Sequence, residues 1–163
     1  MSDTSPAAPE GLTHVRADGS AHMVDVTGKA ETSREAAAQA VVTTRPDVVA
    51  RLADGTLPKG EALGTARVAG IMAAKQTPAL IPLCHPLPLG AITVDFEVAE
   101  SSVTIVARVA TRGVTGVEME ALTAATVAAL TLFDMIKAVD HLAVIGDVKV
   151  LEKSGGKSGA WSR

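Results

Sequence analysis

Glu31-Thr-Ser-Arg-Glu-Ala-Ala-Ala-Gln-Ala-Val-Val-Thr-Thr-Arg45 can be read in two ways, and the fold turns on the choice. Its alanines favour a helix, and Thr32 to Glu35 has the form of a capping box. Yet Thr32, Arg34, Ala36, Ala38, Ala40 and Val42 alternate cleanly with their neighbours, and Val41 to Thr44 is a β-branched run. Local propensity does not decide, so the rest of the chain must.

Downstream, Pro46 suits a helix start, and Asp54-Gly55 suits a stop after Ala53. Gly60 to Lys75 reads as a second helix, in which Gly64 and Gly70 permit tight packing. Pro78, Pro82, Pro86 and Pro88 exclude a helix from Pro78 to Gly90, leaving a rigid apolar loop around His85. Ile92 to Val98 and Val103 to Val109 alternate strictly on either side of Glu100-Ser-Ser, which predicts a hairpin. Gly116 to Asp140 has no proline and no glycine after its first residue, so it is the longest helix. Val144 to Leu151 is a last strand, and Glu152 to Arg163 reads as a Gly/Ser/Lys tail. If the opening segment is a helix, only three strands are left, too small a sheet to cover three helices. If it is a strand, the order is the βαββαβ pattern of an α+β, ferredoxin-like fold: an antiparallel sheet with helices on one face. The strand reading follows.

Upstream, residues 1–11 are rich in Ser, Pro and Ala and are expected to be a disordered tail. Leu12 to Lys29 reads as an arm with one short extended piece at Met23, Val24 and Val26. Residues 12–159 form a single domain, and residues 160–163 a C-terminal tail.

Composition limits what such a domain can do. The net charge is −3, with no long basic run, which argues against nucleic acid as a partner. One cysteine, Cys84, excludes an internal disulfide and fits a reducing compartment. There is neither a signal peptide nor an 18-residue unbroken apolar run, so no membrane partner is expected, and a soluble cytoplasmic protein is. The aromatic residues are only Phe96, Phe133 and Trp161, so Ala, Val, Leu and Ile must fill the core.

The longest helix carries polar residues on one side. At about 100° per residue, Glu120, Thr123, Val127, Thr131, Asp134 and Lys137 share a sector, opposite Leu122, Ala125, Ala129, Leu132 and Ile136. Asp134 and Lys137 are three apart and therefore neighbours; apolar flanks suggest a half-buried pair able to trade protons with a ligand. Glu118 and Glu120 open the helix, where negative charge is favoured. His85 is locked by prolines, as a site histidine would be, while nothing signals an activated Cys84 thiol. Cys84-His85 has no second ligand at metal spacing, so no metal and no cofactor are expected. Lys153-Ser-Gly-Gly-Lys157 suits phosphate oxygens but is no P-loop, because Leu151 stands where that motif needs glycine. Lys59, Lys137, Lys153 and Lys157, with Arg34, Lys75 and Arg112 as further cations, fit a polyphosphorylated small molecule undergoing acid–base chemistry.

Several stretches together are recognisable. Leu12-Thr-His14, His22-Met-Val-Asp-Val26, Thr65-Ala-Arg-Val-Ala-Gly-Ile71, Leu80-Ile-Pro-Leu-Cys-His-Pro86, Thr115-Gly-Val-Glu-Met-Glu-Ala-Leu-Thr-Ala124, Asp134-Met-Ile-Lys-Ala-Val139 and Lys153-Ser-Gly-Gly-Lys157 resemble the cyclic pyranopterin monophosphate synthase family of molybdenum cofactor biosynthesis. The resemblance runs from Leu12 to Gly159 and is most specific in the proline–cysteine–histidine loop and the Glu-Met-Glu helix. It implies a ferredoxin-like catalytic domain and a homohexamer, a trimer of dimers with sites at subunit interfaces. It also implies a cyclic nucleotide triphosphate substrate, (8S)-3′,8-cyclo-7,8-dihydroguanosine 5′-triphosphate. Under it, Asp134, Lys137 and Lys59 are catalytic, and Leu83, Cys84, His85, Glu118, Met119, Glu120, Lys153, Lys157 and Arg34 bind substrate. One departure is Val114, where the family often carries a basic residue.

Overall fold

The computed structural model describes residues 14–16, 18–157 and 159–163; the expected tail at residues 1–11 lies outside them. The elements run β1 (Thr32–Thr43), α1 (Pro46–Ala53), α2 (Ala62–Lys75), α3 (Thr77–Leu80), β2 (Leu89–Val98), β3 (Ser102–Gly113), α4 (Glu118–Ile136), β4 (Val144–Ser154) and β5 (Trp161–Ser162). The ambiguous segment is a strand, as topology required. It lies inside the sheet, whose order is β2-β3-β1-β4-β5 with every neighbouring pair antiparallel. The first four strands have the ferredoxin-like order.

Alternation along β1 explains why its alanines do not make it a helix. Ala36, Ala38, Ala40 and Val42 face the helix layer and are buried, beside Val103, Ile105, Ala107 and Val109 of β3. Flanked by β3 along its whole length and by β4 along most of it, β1 gains ladder partners on both sides, and this outweighs the small helical preference of alanine. Alanine faces meet on the helix side too: Ala121, Ala124, Ala125, Ala128 and Ala129 of α4 are wholly buried. Gly70 of α2 lies so close that a methyl there would meet the Ala124 carbonyl at 2.9 Å and the Ala128 methyl at 3.2 Å. Gly64 does not serve this contact. It stands at the start of α2, where its N–H donates to the Glu61 carboxylate that caps the helix.

Three details differ from the sequence reading. Pro78 stands in the first turn of the four-residue α3, where a missing N–H costs nothing, so the proline-rich segment is not loop throughout. The stretch read as a tail continues β4 to Ser154, and Trp161 returns to pair with Lys153 in β5. The arm at 14–29 forms no ladder; a single bridge joins Val15 to Ala21. Helix α4 has the length and hydropathy of a membrane span, but it is the core helix, buried between the sheet and α2.

Candidate functional site

Helix α4 presents expected site residues at both of its ends. At its start, Glu118 and Glu120 adjoin the His85 loop, the arm and the segment after β4. Two neighbouring cavities open there. The smaller, about 340 Å³, is walled by Leu83, Cys84, His85, Met119 and Glu120, with His14 and Val24 of the arm. The larger, about 610 Å³, is walled by Arg34, Lys153, Ser154, Gly155 and Lys157. Lys29, Thr115, Gly116 and Glu118 belong to both, so the two are compartments of one cleft. Their volumes lie in the range of small-molecule sites.

The smaller compartment has apolar walls from Val24, Leu83, Leu87 and Met119, and the carboxylates of Glu118 and Glu120 share its lining. Glu120 is only 3% exposed. Burial pushes its carboxyl above the ordinary 4.5, and the neighbouring Glu118 charge adds to this. Burial, and then the Glu120 charge, push the Cys84 thiol above its usual 9.0. Cys84 is therefore a neutral thiol at pH 7, not an activated nucleophile. His85 Nε2 lies 2.8 Å from the Val24 carbonyl.

The larger compartment is cationic. Lys153 Nζ lies 3.3 Å from Glu118 Oε1, so the two compartments meet in an ion pair. Arg34 Nε donates to the Gly113 carbonyl at 2.9 Å, and its Nη2 to that of Val114 at 3.2 Å. Val114 thus contributes its backbone to the cleft although its side chain brings no charge. Gly155 and Gly156 have φ of 85° and 74°, and a methyl on either would strike β1, at the Ser33 carbonyl or the Arg34 guanidinium. Only glycine lets this loop lie so close against the strand, with Gly155 on the wall of the cavity.

At the far end of α4, Asp134 takes one lysine on each oxygen: Lys137 on Oδ1 at 2.7 Å and Lys59 on Oδ2 at 2.6 Å. The pair is half-exposed, as its apolar flanks suggested. Hydrogen bonds from Lys137 and then Lys59 pull the Asp134 carboxyl down to about 2. Lys59 arrives on the turn between α1 and α2, where Gly60 at φ 86° donates its N–H to the Leu57 carbonyl. Asp140, 5% exposed, fixes the exit of α4 by accepting from Thr44 Oγ1 at 2.7 Å and from the Leu142 N–H at 3.0 Å.

Nine of the expected residues therefore gather in the cleft, while Asp134, Lys137 and Lys59 gather elsewhere. Helical rise alone separates Glu120 from Asp134 by about 21 Å. Lys75 and Arg112 line neither compartment. Lys29, on the wall of both, has no local signal in the sequence; it becomes visible only when the arm folds across the β1–α4 end of the sheet. Among the described residues, no cluster of three His, Cys, Asp or Glu side chains is placed to ligate a metal.

The chain is similar to known proteins along most of its length. The MoaC family profile matches residues 23–156. A cyclic pyranopterin monophosphate synthase of Corynebacterium efficiens is 72% identical over 151 residues, covering 93% of this chain and 97% of its own. The synthase of the same name from Corynebacterium glutamicum is 68% identical with the same coverage. That of Streptomyces avermitilis is 58% identical over 158 residues, covering 97% of this chain and 93% of its own. The matched span takes in the lining of both compartments except His14 and Lys157, together with the Asp134 cluster, and on this ground the chain belongs to the MoaC family.

Proposed function

We propose that this protein is a cytoplasmic cyclic pyranopterin monophosphate synthase. It converts (8S)-3′,8-cyclo-7,8-dihydroguanosine 5′-triphosphate to cyclic pyranopterin monophosphate and pyrophosphate, a step of molybdenum cofactor biosynthesis. The observation that carries the reading is the two-compartment cleft. A slot with apolar walls, carboxylates and a histidine suits a purine-derived ring system. The adjoining cationic compartment suits a triphosphate.

Closing the cyclic phosphate forms a bond from a sugar-derived hydroxyl oxygen to the α-phosphorus and breaks the α–β anhydride. The hydroxyl proton must leave, and the departing pyrophosphate must be received as an anion. Arg34, Lys153 and Lys157 stand where that charge develops. Rearranging the ring system moves further protons, so acids and bases are needed at the base end as well. His85, with Nε2 engaged by Val24, acts through Nδ1. Glu120, with its raised pKa, holds a proton more readily than an exposed glutamate does. Asp134, at about 2, is a poor base at neutral pH; it holds Lys59 and Lys137 as two oriented ammonium groups.

One ligand does not span both ends of α4. The separation supports a site completed by a second protomer, with Asp134, Lys59 and Lys137 of one chain facing the cleft of another. A hexamer built as a trimer of dimers provides such interfaces. The alternative of a base-stacking RNA module lacks a platform: Phe96, the one aromatic on β1 to β4, lies under Arg67 of α2 at 5.3 Å, on the helix side.

Subunit complementation tests both parts. Lys59→Ala and Lys153→Ala are each expected to abolish pyrophosphate release from the cyclic nucleotide. Mixed and reassembled, they regain activity, because some interfaces then pair two intact halves. No recovery in demonstrably mixed oligomers would overturn the shared site. No pyrophosphate from the wild type would overturn the activity itself.

A further inference from the structure

The arm that closes the smaller compartment holds two imidazoles by opposite nitrogens. His85 donates through Nε2 to the Val24 carbonyl at 2.8 Å. His14 lies with Nδ1 3.3 Å from the His22 carbonyl. A carbonyl oxygen has no proton to give, so both of these ring nitrogens carry N–H. That leaves Nδ1 on His85 and Nε2 on His14 as the atoms able to accept a hydrogen bond when the rings are neutral. Both side chains wall the same cavity, with Glu118 and Glu120.

His14 is also held by its backbone. The His22 N–H donates to the His14 carbonyl at 3.0 Å, and Val15 bridges Ala21. The ring is therefore anchored by main chain and side chain to one short turn, on a residue that lines the compartment, and its Nε2 is not used by that anchor. The chemistry described above gives this residue no task.

We propose that His14 is a further substrate-contacting residue, meeting the heterocycle through Nε2 while Nδ1–H is fixed on the His22 carbonyl. A purine-derived ring system carries N–H and amino donors along its edge. A neutral imidazole nitrogen accepts from one of them, leaving the others to the carboxylates across the slot. This rests on reading the smaller compartment as the heterocycle site.

Isosteric amides separate contact from scaffolding. Asparagine places an N–H near the position of Nδ1 and nothing at Nε2; glutamine places an amide near Nε2 and nothing at Nδ1. In the full chain, with pyrophosphate release as the assay, His14→Asn is expected to keep the wild-type melting temperature. Its KM for the cyclic nucleotide triphosphate should rise about tenfold, the value of one lost hydrogen bond. His14→Gln is expected to recover KM to within about threefold of the wild type, and His14→Ala to behave as Asn does. If His14→Asn has the wild-type KM, or if Gln is as impaired as Ala while Asn is not, the ring only holds the arm and the proposal falls. Wild-type turnover is the control that separates the two readings. Its absence overturns the activity and the role of His14 together; its presence with an unaffected Asn variant overturns the role alone.

Discussion

Lys59 and Asp134 are 75 residues apart in sequence and 2.6 Å apart in space, and with Lys137 on the second oxygen they form a carboxylate held between two ammonium groups. The carboxyl lies at about 2, below its ordinary 3.8. Its contribution to stability is present above about pH 4 and is lost as the pH falls through about 2. Asp134→Asn removes that contribution and brings two like charges together. The variant's melting temperature should change less between about pH 4 and 2 than that of the wild type, most visibly at low salt, because the group is half-exposed. Pyrophosphate release should fall by at least about a hundredfold. An Asn variant with the wild-type acid limb would show that the lysines do not perturb this carboxyl.

Glu120 is perturbed in the opposite sense. A carboxyl whose pKa is raised in the folded state stabilises the fold most below its unfolded value, near 4.5, and less as the pH rises through the folded value. Glu120→Gln is therefore expected to equal or exceed the wild type in melting temperature at pH 7, while losing at least about tenfold in activity. Thermal unfolding at pH 4 and pH 7, beside turnover, checks this. A variant less stable at pH 7 and equally active would show that the buried charge is structural.

Glu120 also acts on Cys84, as the second cause of the raised thiol pKa. Neutralising it lowers that pKa and increases the thiolate fraction. Iodoacetamide at pH 8 should alkylate Cys84 about two- to fivefold faster in Glu120→Gln than in the wild type. Equal rates would place the carboxylate outside electrostatic reach of the sulfur.

Gly155 and Gly159 both adopt positive φ, but only Gly155 lies against other atoms. Gly155→Ala combines backbone strain with a clash at the Ser33 carbonyl, whereas Gly159→Ala meets open space. The first is expected to raise KM at least about tenfold, and the second no more than about twofold. Similar effects at both positions would remove the close approach of the loop to β1 from the account of phosphate binding.

Much of this was legible in the chain because its elements follow strong local rules. Ile92 to Val98 alternates, the prolines confine His85 to a rigid segment, and α4 has no breaker. β1 is decided by counting strands, since Ala36, Ala38 and Ala40 locally favour a helix. Pro78 shows the limit of a breaker rule: proline forbids a helix interior but not a first turn. The lysines show a different limit. Lys153 and Lys157 sit in a glycine-rich run that advertises itself, whereas Lys59 and Lys29 gain meaning from partners far along the chain, to which sequence spacing gives no clue. The pairing of Trp161 with β4 is of the same kind: a two-residue strand exists only where an edge is already waiting for it.

The methyl-lined seam between β1 and α4 has a consequence for how the protein can vary. Most cores are at risk from truncation, because removing methylenes leaves a void. Here Ala36, Ala38, Ala40, Ala124, Ala125 and Ala128 have almost nothing to remove, and Gly70 has nothing at all. Apart from alanine to glycine, every change at these positions adds volume, which would push α4 away from the sheet or from α2. Because α4 carries Glu120 at one end and Asp134 at the other, such a shift would move both clusters at once. The seat of both clusters against the sheet rests on the smallest side chains in the molecule.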